Sequence, residues 1–541
     1  MTDTHAAATA AVDSAAALVD TAARHLAAAA GDNGRISVSK LDQHQVVAYD
    51  LAHAAAAVAG SRVMLDYAKH GELEAKLSYA YIADVFADIV GRLVGREGEW
   101  GVDPADLASA HDFVAAYRDP AFLESLADEL PRHGTGPAHL DDEFDMVRDT
   151  FHRFAEDKIR PVAEHIHRTN ADIPDEIING MAEIGGFGLS VPEEYGGFAA
   201  GGDSDYLAMC VATEELSWGS LGAGGALITR PEILTRAIVK GGTEEQKHGW
   251  LPQIASGERI VGVMVTEPDF GSDVAGVKVT ATATDGGYIV NGVKTWCTFA
   301  GRADTLMVLA RTDPDRSLGH RGLSVLVIDK PPAPGHHFAF DDGREGKMEG
   351  RAIDTLGYRG MHSFEVAFDN WFVPAENLIG LESGLGKGFY LQMEGFENGR
   401  LQTAARAVGL MQAAFEAGLG YAQDRNVFGK PIFDYQLSKV KLAKMAALIC
   451  AGRQFSYDVA RKMARGEGAL EASMVKAYVC RAAEWVTREA LQLHGGMGYA
   501  EEFPVSRYFV DARVLSIFEG ADETLCLRVI ARRLTEQALT A

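Results

Sequence analysis

Val277-Lys278-Val279-Thr280-Ala281-Thr282-Ala283-Thr284 sets apolar against polar residues with a period of two. That pattern specifies a strand with one face on a core. Asp285-Gly286-Gly287 and Asn291-Gly292 follow as hairpin-turn sequences. Strand-like runs continue at Leu306–Leu309, Leu323–Ile328 and Glu365–Phe368. The polar, Gly-rich stretch between them, about 335 to 350, is expected as an exposed loop. The result is a compact β domain over 259–378.

On both sides of this domain the period changes to that of a helix. After Pro374, apolar stripes run through 391–424, 436–465 and 469–493, which suits an antiparallel bundle over 379–541. Before it, Phe144, Val147, Phe151 and Phe154 form an apolar stripe that opens an α domain over 138–258. Residues 1–137 read as a separate N-terminal helical extension. Its first thirty or so residues are rich in Ala and Thr, so a loosely docked helix with little to bury is expected. Within it, Val47, Leu51, Ala55 and Val58 recur at helical spacing. The segment from Gln45 to Arg62 can be laid over Gln436 to Arg453 without a gap, sharing Leu51/Leu442, Ala55/Ala446 and Arg62/Arg453. It is either chance between Ala-rich helices or a degenerate copy of a bundle helix. The fold class is therefore mainly α with a central β domain.

The chain has 541 residues and a net charge of -25. Such acidity argues against nucleic acid and against anionic membrane surfaces, both of which select basic footprints. The five cysteines lack CxxC spacing, which points away from a zinc site or disulfide framework and toward a reducing, cytoplasmic setting. No signal-peptide pattern and no bilayer-length apolar run stand out.

Four clusters and one carboxylate carry chemistry. Val265-Thr266-Glu267-Pro268-Asp269-Phe270-Gly271-Ser272-Asp273 leaves a strand and turns on Pro and Gly. It reads as a polar turn, or as a loop of backbone N–H groups and hydroxyls able to grip a flavin edge and a pyrophosphate. In Lys294-Thr295-Trp296-Cys297-Thr298, alternation puts Trp296 and Thr298 on one face. They are either core residues or a plate and a hydrogen bond for a flat ring. Arg425-Asn426-Val427-Phe428-Gly429-Lys430, with Gln436, offers a charge for a diphosphate. Gln492-Leu493-His494-Gly495-Gly496-Met497-Gly498 offers bare backbone, or only a helix stop. Last, Leu515-Ser516-Ile517-Phe518-Glu519-Gly520 ends an apolar run in one carboxylate. Ile517 and Phe518 should exclude water from Glu519 and raise its pKa toward that of a useful base. The alternative is a buried Glu paired with an Arg. Gly520 allows close approach of a ligand to the backbone.

In order and spacing, these segments over about 141–534 resemble the acyl-CoA dehydrogenases. The resemblance implies a helical domain, a β-barrel domain and a C-terminal four-helix bundle, with bound FAD and a homo-oligomer, dimer or tetramer. It implies that Val265, Thr266, Gly271, Ser272, Trp296 and Thr298 contact the flavin or its phosphates in one chain. Arg425, Phe428, Gln436, Gln492, Gly495 and Gly496 would serve the flavin of a neighbouring subunit. Glu519 would take the α proton of an acyl-CoA thioester. Some members instead carry the base just before the Arg that matches Arg400, but here that residue is Gly399. Phe396 and Glu397 match positions lining the pantetheine channel, Ser272 and Gly520 border the substrate, and Arg400 stands behind them. Val427 and Ala521-Asp522-Glu523 depart from residues many members carry, which puts individual cofactor bonds in doubt. The added N-terminal region, Leu227-Ile228-Thr229-Arg230-Pro231 and Gly357-Tyr358-Arg359-Gly360-Met361-His362 resemble members that oxidise (2S)-methylsuccinyl-CoA to mesaconyl-CoA in the ethylmalonyl-CoA pathway. A free carboxylate on the acyl group would need a cation, with Arg230 the first candidate and Arg359 the second. Electrons would pass to an electron-transferring flavoprotein. The alternatives are another short or branched-chain acyl-CoA dehydrogenase, or an acyl-CoA oxidase on the same scaffold.

Overall fold

The computed structural model describes residues 2–202 and 204–540. In chain order the main helices are α1 (Thr2–Ala30), α2 (Gln45–Tyr67), α3 (Glu72–Leu93), α4 (Asp142–Phe154), α5 (Ser204–Gly219), α6 (Thr229–Gly241) and α7 (Glu244–Ala255). After the strands come α8 (Gly388–Asp424), α9 (Gln436–Ala464), α10 (Ala469–His494), α11 (Val505–Leu515) and α12 (Ala531–Thr540). The strands are β1 (Val261–Met264), β2 (Thr280–Thr284), β3 (Gly287–Thr298), β4 (Thr305–Arg311), β5 (Leu323–Asp329), β6 (His337–Asp341), β7 (Lys347–Ile353) and β8 (Ser363–Pro374). A two-residue ribbon, β9 (Asn426–Val427) and β10 (Lys430–Pro431), follows α8. The chain forms two compact units, Glu143–Gln402 and the combination of Met1–Asp142 with Thr403–Ala541.

The middle unit is built on one eight-stranded sheet in the order β1-β4-β2-β3-β8-β7-β6, with β5 also on β4. Alternation explains its inner core, which contains Val279, Ala281, Val290, Val308, Leu326, Phe364 and Val366. Met307, Leu309, Val325 and Val327 point the other way and pack on Ile233, Leu234, Ala237 and Ile238 of α6. β4 and β5 are therefore covered on both faces, which is why they read as unbroken apolar runs. The expected turn at Asp285-Gly286 is present, with Thr284 paired to Gly287 and Gly286 at φ 77°. Asn291-Gly292 is not a turn: it lies inside β3, where Gly292 takes φ 128° beside a register shift opposite Phe368–Trp371. The stretch expected as a loop is instead the β6–β7 hairpin, which pairs with β8. Phe338 and Met348, buried at 4% and 0% exposure, fix it to the core.

The other unit draws on both ends of the chain. The N-terminal helices, expected as a separate domain, pack with α9, α10 and α12 in a single body. α1 is not loosely docked. Ala8, Ala11, Val12, Ala15, Leu18, Val19, Ala22 and Leu26 are all buried, and α1 packs on α2, α3 and α12. Small Ala side chains let helix axes approach closely, so a sequence with few large apolar groups still buries a whole face. α2 and α9, the pair with aligned sequences, begin at the matching residues Gln45 and Gln436 and pack on each other.

Candidate active site

Glu519 sits at the tip of a closed turn. α11 ends at Leu515, and the N–H groups of Ile517 and Phe518 both donate to the Val514 carbonyl, at 2.9 and 3.0 Å. The Asp522 N–H donates to the Ser516 carbonyl at 3.1 Å and closes the loop. Ser516 Oγ donates to Glu484 Oε1 at 2.5 Å, and Lys476 Nζ, on the fully buried Lys476, donates to the Gly520 carbonyl at 2.6 Å. Both anchoring side chains come from α10. Glu519 itself lies at φ 53° and Gly520 at φ 98°. A Cβ at position 520 would come within 2.9 Å of Leu525 Cδ2, so this glycine is required by conformation and by space. The Arg406 guanidinium lies 5.0 Å from the centre of the Phe518 ring. The apolar flank does not enclose the carboxylate as expected: Glu519 is half-buried and Ile517 is 54% exposed.

In the middle unit, Thr295 N–H donates to the Thr266 carbonyl at 2.9 Å. Beside it is a pair the sequence reading missed. Lys294 Nζ, fully buried, bonds Glu267 Oε1 at 2.8 Å and the Val265 carbonyl at 2.9 Å. Glu267 also accepts from the N–H groups of Lys278 and Val279, at 2.6 and 2.9 Å. Burial pushes the Lys294 ammonium down, and the Glu267 carboxylate opposes that shift. The only sequence signal was a charged residue of each sign embedded in runs that face a core. This ion pair ties the Val265–Asp273 loop to β3, leaving Gly271 and Ser272 exposed at its outer end.

Strict alternation fails at Trp296. Cys297 pairs with Phe364 but Lys294 with Val366, so Thr295 and Trp296 together face Glu365 in a bulge. Trp296 takes φ 57° and projects outward, 55% exposed. Thr298 is buried, with its Oγ1 3.1 Å from Ser363 Oγ, and the next N–H, of Phe299, donates to the His362 carbonyl at 2.8 Å.

Arg230 is the second residue of α6 and only 6% exposed, inside a fully buried run from residue 216 to residue 235. Arg359 is committed to backbone: its Nε donates to the Thr355 carbonyl at 3.0 Å and Nη1 to that of His167 at 2.7 Å. A side chain at Gly222 would strike the Arg359 carbonyl at 2.3 Å. On α8, Phe396 packs on the α6 core, and Glu397 and Arg400 are half-buried. Burial raises the Glu397 carboxyl, against the nearby Arg400 charge.

The remaining predicted residues are exposed: Arg425, Phe428, Gln436, Gln492, Gly495 and Gly496. Phe428 is 99% exposed at φ 49°, on the tip between β9 and β10. Gln436 Nε2 donates to Glu124 Oε2 at 3.0 Å, a contact with the N-terminal region. A Cβ at Gly495 or Gly496 would meet nothing within 4 Å. A cavity of about 580 Å³, lined by residues such as Tyr81, Asp84, Arg92, Arg118 and Lys444, includes none of the predicted site residues. No helix among the described residues is long and apolar enough to cross a membrane.

Comparison with known proteins places these residues in a family. The acyl-CoA dehydrogenase N-terminal, middle and C-terminal domains match residues 141–258, 262–371 and 386–535. The chain is 38% identical to (2S)-methylsuccinyl-CoA dehydrogenase of Cereibacter sphaeroides over 539 residues, 96% of each chain. Among solved structures, butyryl-CoA dehydrogenase of Megasphaera elsdenii superposes with a TM-score of 0.65 at 31% identity, covering 72% of this chain and 98% of its own. A glutaryl-CoA dehydrogenase in complex with glutaryl-CoA gives 0.66 at 32% identity, covering 73% and 95%. With three consecutive domains matched and a relative aligned almost end to end, this chain belongs to the acyl-CoA dehydrogenase family.

Proposed function

We propose that the chain is an FAD-dependent dehydrogenase that oxidises (2S)-methylsuccinyl-CoA to mesaconyl-CoA and passes the electrons to an electron-transferring flavoprotein. The observation that carries this reading is Glu519, a non-glycine residue in left-handed backbone at the tip of a turn held by five hydrogen bonds. Such a conformation costs about 1 kcal/mol or more and persists where surrounding bonds enforce it. Near-full-length likeness to a methylsuccinyl-CoA dehydrogenase supports the substrate.

The residues present suit FAD. Trp296 is exposed on its bulge, Gly495 and Gly496 leave open space, and the Arg425 side chain makes no ion pair among the described residues. Val265, Thr266, Gly271, Ser272, Trp296 and Thr298 are assigned to the flavin and its phosphates. Arg425, Phe428, Gln436, Gln492, Gly495 and Gly496 are assigned to the flavin of a neighbouring subunit in a homo-oligomer. When bound, FAD supplies the hydride acceptor.

The chain's own residues supply the rest. The Glu519 carboxylate takes the α proton as a hydride leaves the β carbon. The Glu519 N–H donates to the thioester oxygen, where negative charge develops. Gly520 keeps the backbone thin beside the thioester, and Phe396, Glu397 and Arg400 line the way for the pantetheine arm. Arg230 meets the free carboxylate of the acyl group, since burying that charge without a cation is costly. Arg359, bonded to two carbonyls, serves the fold.

An anaerobic panel of methylsuccinyl-, butyryl-, isobutyryl- and glutaryl-CoA, followed by flavin absorbance, tests the substrate. Methylsuccinyl-CoA should bleach the flavin fastest. Reoxidation by the flavoprotein should far outpace reoxidation by air; the reverse would make the enzyme an oxidase. Arg230→Leu should raise KM for methylsuccinyl-CoA about 30-fold or more and spare butyryl-CoA. Equal effects on both would remove Arg230 from this role.

A further inference from the structure

The segment that carries Glu519 is tied to the N-terminal region by a buried polar cluster. Tyr49 and His53 lie one helical turn apart on α2 and reach the same carboxylate, that of Asp522. Tyr49 Oη donates to Asp522 Oδ2, and His53 Nε2 lies 3.2 Å from the same oxygen. Cys526, one turn beyond Asp522, places Sγ 3.4 Å from His53 Nε2 and 3.8 Å from Asp522 Oδ1. His53, Asp522 and Cys526 are all buried. The helix here runs as a π turn over Leu525–Ile530, the widened form that recurs at functional sites.

Asp522 is also the residue whose N–H closes the Glu519 turn onto Ser516. Its side chain is held by α2 while its backbone holds the base loop. Burial alone would raise the Asp522 carboxyl, but the bonds from His53 and Tyr49 outweigh it and keep the group ionised. Burial pushes His53 down, so the imidazole is neutral and donates through Nε2–H. The cluster is one anion with neutral donors around it, a set of bonds that fixes direction without adding a second buried charge.

We propose that Tyr49 and His53 are positioning residues for catalysis: through Asp522 they set the angle at which the Ser516–Asp522 turn presents Glu519. The N-terminal region is then part of the catalytic apparatus. This inference rests on the assignment of Glu519 as the base.

The test uses the full-length holoenzyme. Tyr49→Phe removes one hydroxyl, and His53→Ala removes the second donor; His53→Gln keeps an N–H. Three quantities are read: kcat and KM with methylsuccinyl-CoA, exchange of its α hydrogen with solvent deuterium, and amide deuterium uptake of the 514–526 segment. Tyr49→Phe and His53→Ala should each lower kcat and α-hydrogen exchange about tenfold, since small misplacements of a base are costly. KM and flavin content should stay unchanged, and the 514–526 amides should exchange faster. His53→Gln should recover most of the loss. Unchanged α-hydrogen exchange, or losses that only track flavin content, would overturn the inference. So would a stoichiometric metal in the purified protein that is lost with Cys526→Ser, because the cluster would then be a metal site. Glu519→Gln separates this failure from failure of the parent reading: if that variant still exchanges the α hydrogen, the base is elsewhere.

Discussion

Two turn tips of the same unit make opposite use of left-handed backbone. Glu519 and Phe428 take nearly the same φ, 53° and 49°. The Glu519 turn is held on every side, by Val514, Ser516, Lys476 and Glu484. The Phe428 tip rests on a two-residue ribbon with bonds only at its base, such as Tyr435 Oη to the Val427 carbonyl at 2.6 Å and Ile432 N–H to the Arg425 carbonyl at 2.8 Å, and its ring is 99% exposed. A carboxylate braced within its own chain suits chemistry. An aromatic ring in water has no use to its own fold, and it suits a surface that another molecule supplies. Under the proposed function, this difference matches a role assigned to Glu519 within its own chain and one assigned to Phe428 at a neighbouring subunit.

The comparison breaks most directly at Glu519. Glu519→Gln keeps the shape and removes the base, so turnover should fall about 10²–10⁴-fold. A smaller loss by steady-state assay would mean that the braced turn is only architecture. Gly520→Ala comes next. It places a methyl against Leu525 in a backbone region alanine avoids, and should destabilise the protein by about 1–3 kcal/mol in urea unfolding. Phe428→Ser sharpens the other side. Because the ring buries nothing in its own chain, stability should change by less than about 0.5 kcal/mol. Flavin retention and oligomer affinity, read by absorbance and sedimentation, should both fall. A loss of stability without either effect would place Phe428 in the fold of its own chain.

The smallest effect is in acid. Burial depresses His53, and its bonds depress Asp522. The unfolded chain therefore binds more protons, and stability falls as pH drops below the ordinary His value of 6.5. His494 shifts the same way through burial. Asp522, Cys526, Tyr49, Arg481 and Arg92 are the ionisable groups acting on or beside His53. His53→Gln should flatten the decline in Tm between pH 6.5 and about pH 5 and leave the His494 share.

Local patterns in the sequence carried the element order well. Period-two alternation marks Val277, Val279, Ala281 and Ala283 as inward residues; the first three are buried, but Ala283 is exposed, β2 begins only at Thr280, and Val277 joins the core on α6 rather than that of Val279 and Ala281. The three long helical stretches after Pro374 are α8, α9 and α10. What was not legible depends on pairing between distant segments. The bulge that turns Trp296 outward exists because two residues of β3 face one of β8, and alternation within β3 cannot reveal that. The β6–β7 hairpin hid behind its polar turn, although Phe338 and Met348 carried the signal. The docking of α1 hid because alanine signals helix without signalling what it packs on. At the candidate base, the apolar neighbours of Glu519 suggest an enclosed carboxylate, yet the side chain is half-buried and Ile517 is exposed; the groups around its turn, Lys476, Asp522, Tyr49 and His53, come from elements far apart in the chain.

The packing of α1 on α12 joins the first and last helices among the described residues. A ribosome delivers Glu143–Gln402 as an unbroken block, so that unit can close while synthesis continues. The other unit stays incomplete until α12 has been made, because α1 packs on it as well as on α2 and α3. Removal of α12 would thus be felt at α1.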